Sequence, residues 1–213
     1  RKYLSISRSG LPPDLLKSYA FQLLCGICYL HSNRMMHRDM KPLNVLLDEN
    51  SEPVICDFGS ARHYSLLSTV NVQFTESIGT AIYMAPELYK SMFNNVYSGK
   101  VDSYSFAIVM YQILTLSTWD KIFPINNSVK IMNKKMENYV PSLNNIKSDL
   151  LKNIINTCWN TSARDRYSPQ KIYKILVDNI YSENPNLLPN ADINQLKKYI
   201  EKFHIDQNKD KET

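Results

Sequence analysis

The run from Phe106 to Leu116 is apolar except at Gln112 and Thr115. It exceeds an ordinary strand of about 5–6 residues and falls well short of the roughly 20 needed to span a bilayer. A helix apolar on nearly every side must be enclosed by protein. The sequence therefore predicts a buried core helix over Val101 to Ser117, with the rest of the chain wrapped around it. With 213 residues, 44% hydrophobic and 21% charged, the chain has a globular composition and enough length to do so.

Most of the wrapping is predicted to be helical. Pro12-Pro13-Asp14 is a helix start, and Leu16, Tyr19, Ala20, Leu23, Leu24, Ile27 and Leu30 follow at helical spacing to an end near Ser32-Asn33. Pro86 opens a short helix. Amphipathic segments lie near 128–138, 148–160 and 168–181, the last with Ser168 as cap and Pro169 at its first position. Glu183 to Asn190 holds two prolines and is read as a linker, followed by a small charged helix from Asp192 to Phe203 and a frayed end from Asp206 to Thr213. Residues 59 to 84, polar and rich in Ser and Thr, are read as a long loop, which in a compact domain is usually functional or disordered.

Val45-Leu46-Leu47 and Val54-Ile55-Cys56 read as a hairpin turned at Asp48 to Pro53. A turn centred on Asn50-Ser51 pairs Val45 with Cys56 and sets Asn44 opposite Asp57 at the open end. A slip of one residue would undo that pairing and flip the side chains.

Charge and cysteine content narrow the partners. A net charge of +5, with no basic run of five residues, does not suggest nucleic acid or a lipid surface. Cys25, Cys28, Cys56 and Cys158 are too few and too scattered for a disulfide framework. Cys25 and Cys28 form a CxxC on the apolar face of the first helix, so they are expected as packed residues rather than metal ligands. Free thiols and the lack of a charged-then-apolar leader suggest a cytoplasmic, reducing location.

The chemistry is concentrated in His37-Arg38-Asp39-Met40-Lys41-Pro42-Leu43-Asn44 and, beyond it, Asp57-Phe58-Gly59. Together these supply a proton acceptor (Asp39), a cation to face a phosphate (Lys41) and two hard oxygen ligands for magnesium (Asn44 and Asp57). Those are the parts that phosphoryl transfer takes from a protein.

With Gly79-Thr80 and Ala85-Pro86-Glu87 in the same order, these motifs resemble the C-terminal lobe of eukaryotic protein kinases over roughly residues 1 to 182. The resemblance implies a mainly α fold, a helical bundle with a short β-hairpin carrying the catalytic and metal-binding loops. It implies ATP and Mg²⁺ as cofactors and a protein Ser/Thr hydroxyl as acceptor. Asp39 and Lys41 would be catalytic; Lys41, Asn44 and Asp57 would bind the cofactors, with Asn44 and Asp57 on the metal. Arg38, aided by Arg62, would bind a phosphorylated residue of the 59–84 loop, with Thr75 and Ser77 as first candidates and Ser65, Ser68 and Thr69 next. His37 and Phe58 would stack beneath the site. Glu87 and Arg166 would form a buried ion pair, Asp102 would anchor the catalytic-loop backbone, and Trp159 would lie in the core.

Lys41-Pro42 and Gly79-Thr80 resemble the Ser/Thr type, while Ser103-Tyr104-Ser105-Phe106 and Cys158-Trp159 resemble the tyrosine-kinase-like group. Ala107 and Tyr167 depart from the family's usual Gly and Pro, both away from the chemistry. No GxGxxG and no strand-borne Val-Ala-Ile-Lys occurs, and the five glycines are isolated. The expectation is a chain without the N-terminal β lobe, residues 1–182 forming the partial kinase domain and 183–213 a tail, binding ATP weakly and nearly inactive alone. A pseudokinase or scaffold module is the alternative; an unrelated helical binding domain is a third, to be marked by absence of the Asn44–Asp57 pairing.

Overall fold

In the computed structural model, which describes residues 2–3, 13–63, 78–89, 97–181 and 193–209, the core helix is α3 (Lys100–Thr115). Every residue from Val101 to Ile113 is buried. The helix stops where Leu116 turns left-handed, at φ 51°. Around it stand α1 (Pro13–Ser32), α2 (Ile78–Tyr83), α4 (Trp119–Ile122), α5 (Ser128–Met136), α6 (Asp149–Cys158), α7 (Pro169–Tyr181) and α8 (Ile193–Lys209). A further helical turn covers 86–89.

Local sequence explains these limits. Pro13 begins α1, where a missing N–H costs nothing. Asn127, Ser148 and Ser168 each accept a hydrogen bond from a backbone N–H of the first turn of α5, α6 and α7, respectively. Leu16, Tyr19, Leu23, Leu24 and Ile27 are all buried, so the predicted face of α1 is the face that packs against α3 and α7. The core is completed by Trp159, whose ring meets Tyr104, Tyr111 and Phe123.

The strands are short. β1 (Lys2–Tyr3), β3 (Val45–Leu47) and β4 (Pro53–Ile55) form one antiparallel sheet; β2 (Met35–Met36) pairs with β5 (Arg62–His63) in another. Gly26 of α1 lies so close to this hairpin that a Cβ there would stand 2.8 Å from Ile55 Cδ1. A mid-helix glycine, unfavourable by about 0.5–1 kcal/mol relative to alanine, is thus matched to a close approach.

Several expectations are corrected. Val45 pairs with Ile55 and Leu47 with Pro53, one residue away from the predicted register. Asn44 therefore faces Cys56, whose N–H bonds to the Asn44 carbonyl at 2.9 Å, and not Asp57. The cause is the turn. Ser51 N–H bonds to Asp48 O, Ser51 itself is left-handed at φ 61°, and the Asp48 carboxylate accepts from the N–H groups of Asn50 and Glu52. This is a type I turn followed by a left-handed residue, a three-residue hairpin loop with an odd count. Residues 78–83 form a helix inside what was read as loop. α8 runs on to Lys209, past the expected helix end at Phe203, and residues 210–213 of the expected frayed end lie outside the described residues. The predicted linker at 183–190 lies outside the described residues.

Among the described residues no helix is long and apolar enough to cross a membrane. The four cysteines are free, Cys25, Cys28 and Cys158 being buried. Burial pushes the thiols of Cys28 and Cys158 up to about 12 and Cys25 further, while half-buried Cys56 shifts less. In the native protein at about pH 8, an aromatic disulfide reagent should titrate Cys56 rapidly and the other three only after unfolding. Rapid reaction of two or more thiols in the native state would contradict this packing.

Candidate active site

Strand β2 delivers the chain into the loop 37–43, and the first turn of α3 fixes that loop. Asp102, 0% exposed, accepts from the backbone N–H of Arg38 through Oδ1 at 2.8 Å and from that of His37 through Oδ2 at 3.0 Å. Its Oδ2 also meets His31 Nε2 at 2.8 Å, from the end of α1. To turn both N–H groups toward one carboxylate, Arg38 adopts φ 67°, a left-handed conformation costing roughly 1–2 kcal/mol for a side-chain-bearing residue. Its own side chain helps hold that turn. Nε donates to Ser60 O at 2.6 Å and Nη1 to the Tyr97 hydroxyl at 2.5 Å.

His37 is fully buried and bridges the loop to the hairpin end. Its Nδ1 accepts from Asp39 N–H at 3.3 Å, which leaves Nε2 as the protonated nitrogen, donating to Cys56 O at 3.0 Å. Phe58 packs edge-on to His37 with ring centroids 5.3 Å apart, as the stack requires, yet Phe58 is 47% exposed. The stack is open on that side.

The chemistry converges on Asp39. Its Oδ2 accepts from Lys41 Nζ at 2.7 Å and from Asn44 Nδ2 at 2.9 Å, and the same Nδ2 donates to Asp39 O at 2.8 Å. Lys41 Nζ also donates to Thr80 Oγ1 at 3.0 Å, joining the loop to α2. Pro42–Asn44 forms a 3-10 turn that buries Asn44 and turns it back toward Asp39. Asp57 follows β4, is left-handed at φ 61°, and is exposed; its Oδ1 takes a long bond from Gly59 N–H, 3.4 Å.

These groups fit a magnesium ion shared with phosphates. Asn44 spends its amide nitrogen on Asp39, so its carbonyl oxygen is the atom it offers a cation. Asp57 offers a solvent-facing carboxylate. Both are hard oxygen donors, and Mg²⁺ is commonly held by one or two side chains with phosphates and water completing its shell. Among the described residues there is no cluster of three or more His, Cys, Asp or Glu suited to an all-protein metal cage.

Glu87 and Arg166 form the expected pair, bidentate at 2.6 and 2.8 Å. The remaining guanidinium donors reach the carbonyls of Asn160, Lys100 and Thr161, so all five are used. Arg62 lies near Arg38, whose pKa is lowered chiefly by burial, with the Arg62 charge contributing. Thr75, Ser77, Ser65, Ser68 and Thr69 lie outside the described residues.

Three residues of this network escaped the sequence-based site list. His31 continues the apolar stripe Leu24–Ile27–Cys28, a legible signal. Thr80 was noted only as part of a motif. Tyr97 has no periodic context.

The family model described as Protein kinase domain matches residues 1–176. The RGS domain-containing serine/threonine-protein kinase A of Dictyostelium discoideum is 33% identical over 187 residues, 87% of this chain and 16% of that protein. The serine/threonine-protein kinase TIO of Arabidopsis thaliana is 42% identical over 103 residues, 48% of this chain and 7% of that protein. The mitogen-activated protein kinase spm1 of Cytospora mali is 37% identical over 113 residues, 52% of this chain and 26% of that protein. The chain thus spans about a quarter or less of the length of these relatives.

Asp102→Asn replaces one converging acceptor by a donor. It should cost about 3 kcal/mol in urea unfolding and speed amide exchange at His37 and Arg38. A loss under about 1 kcal/mol with unchanged exchange would show that the loop is anchored elsewhere.

Proposed function

The chain belongs to the protein kinase family, and we propose that it forms the C-terminal lobe of a serine/threonine kinase of the tyrosine-kinase-like group, transferring the γ-phosphate of ATP to protein Ser/Thr hydroxyls. The observation that carries this reading is the Asp39 carboxylate, whose Oδ2 accepts from Lys41 and Asn44 while, among the described residues, no hydrogen bond is made to its Oδ1. In the proposed reaction the acceptor oxygen bonds to the γ-phosphorus, the bond to the β–γ bridging oxygen breaks, and ADP leaves. Asp39 orients the acceptor hydroxyl and takes its proton. Lys41 faces the transferring phosphoryl group and offsets charge on it. Asn44 and Asp57 would hold magnesium, which would supply charge neutralisation at the ATP phosphates.

The Ser/Thr assignment is supported by Lys41-Pro42 and Gly79-Thr80, and by the names of the relatives; the group assignment is supported by Ser103 to Phe106 and Cys158-Trp159. We place the kinase portion at 1–182 and the appended tail at 183–213, in an intracellular setting suited to four free thiols. Regulation would use the neighbouring Arg38 and Arg62 as a phosphate receptor, with the incoming phosphate competing with Tyr97 for Arg38. The 213 residues contain no GxGxxG to cradle phosphates. The alternative, a pseudokinase or scaffold module acting through protein–protein binding, would be favoured by a degraded glycine-rich loop or a missing lysine in the segment that grips the nucleotide.

In an ATP-competent protein carrying this chain, Asp39→Asn should lower kcat by about 100-fold or more with little change in Tm; retention of most of the activity would eliminate Asp39 as the base. The 213-residue chain alone should bind ATP more weakly than about 1 mM by calorimetry, and micromolar binding would overturn the proposed need for a separate phosphate-gripping segment.

A further inference from the structure

The buried face of α5 contains an anomaly. Ile131 and Met132 are buried, and the next position on that stripe is Lys135, 1% exposed. An apolar residue is what the helical pattern calls for there. The ammonium is aimed at α2, with Nζ donating to Ala81 O at 2.8 Å, Ile82 O at 2.5 Å and Met84 O at 2.8 Å. It also stands 4.9 Å from the Tyr104 ring centroid and 5.4 Å from that of Phe123.

α2 has six residues, so the carbonyls of its last three, Ala81 to Tyr83, lack a helical partner. The structure accounts for each one at its end. Thr80 O accepts from Met84 N–H, Tyr83 O accepts from Ser105 Oγ, and Lys135 satisfies Ala81 O and Ile82 O together with Met84 O just beyond the helix. Three carbonyl acceptors require three N–H donors on one nitrogen, which only the ammonium form provides. Burial opposes that charge, pulling the Lys135 pKa well below its ordinary value; Arg166 adds to the effect and Glu87 counters it.

Thr80 sits on this same short helix, and its hydroxyl oxygen accepts from Lys41. We propose that Lys135 is a positioning residue of the transfer site, its buried ammonium fixing the carboxyl end of α2 so that Thr80 stays in register with Lys41 and, through Lys41, with Asp39. The role of Lys41 in transfer rests on the function proposed above; the placement of Thr80 against Lys41 does not. A hydrophobic residue at 135 would fill the space but strand three buried carbonyls, loosening α2 first and the core helix last.

The test is Lys135→Met in the 213-residue chain without ligand, with Lys135→Gln, which keeps two donors, as second variant. Amide exchange at 80–85 should quicken at least about tenfold in Lys135→Met, and less in Lys135→Gln, while α3 amides keep their protection. The Lys41 Cε resonance should move as it does in Thr80→Ala, and adding Lys135→Met to Thr80→Ala should move it no further. Exchange that rises equally in α2 and α3, a Lys41 signal that stays in place, or failure of both variants to fold would overturn the proposal. Because no readout needs ATP or turnover, an inactive Asp39 would defeat the functional reading while leaving this one to be judged separately.

Discussion

One buried carboxylate organises the site. Asp102 receives two backbone N–H groups and a histidine from a position with no exposure at all. An isolated charge there would be prohibitive; the converging donors and the amino end of α3 make it tolerable. Removing those bonds would take away what holds Arg38 in its left-handed turn, and with it the aim of Asp39, Lys41 and Asn44. The loop 37–43 is thus bolted to a helix that is buried from Val101 to Ile113.

The same helix distributes its other polar groups in similar fashion. Ser105 bonds to Tyr83 O and Gln112 to the Tyr83 hydroxyl, both across to α2. The Tyr104 ring lies beside two buried cations, Arg166 at 4.7 Å and Lys135 at 4.9 Å. Arg166 ties Glu87 to the start of α3, and Lys135 ties α5 to α2. A helix that is apolar by composition therefore fixes the loop 37–43 with one residue and the segment 78–87 with three more. Rigidity of this kind is what positions catalytic side chains within the narrow tolerance that transfer chemistry demands.

Much of this was legible. Proline starts, serine caps and helical stripes located α1, α3, α6 and α7 to within a few residues; the motifs singled out Asp39, Lys41, Asn44 and Asp57, and the family resemblance pointed to Asp102, Glu87 and Arg166. The hairpin register was not, because Ser51 takes a left-handed conformation that no glycine or asparagine announced. The intended mark of an unrelated fold, loss of the Asn44–Asp57 pairing, therefore failed as a criterion, and membership rests on the family match and the site. α2 was missed because six residues held mainly by side chains from α3 and α5 carry little periodicity of their own. Lys135 was missed because a stripe pattern treats lysine as a surface residue, and only the unpaired carbonyls of α2 give it a reason to be inside.

In the proposed site, Asn44 and Asp57, despite the shifted register, present their oxygens to one metal–phosphate group beside Asp39 and Lys41. Paramagnetic broadening of labelled protein by Mn²⁺ with millimolar ATP tests this directly. Signals of Asn44, Asp57 and the 39–41 segment should broaden first and together, and only when ATP is present. Broadening centred elsewhere, or equal broadening by Mn²⁺ alone at scattered surface carboxylates, would contradict it.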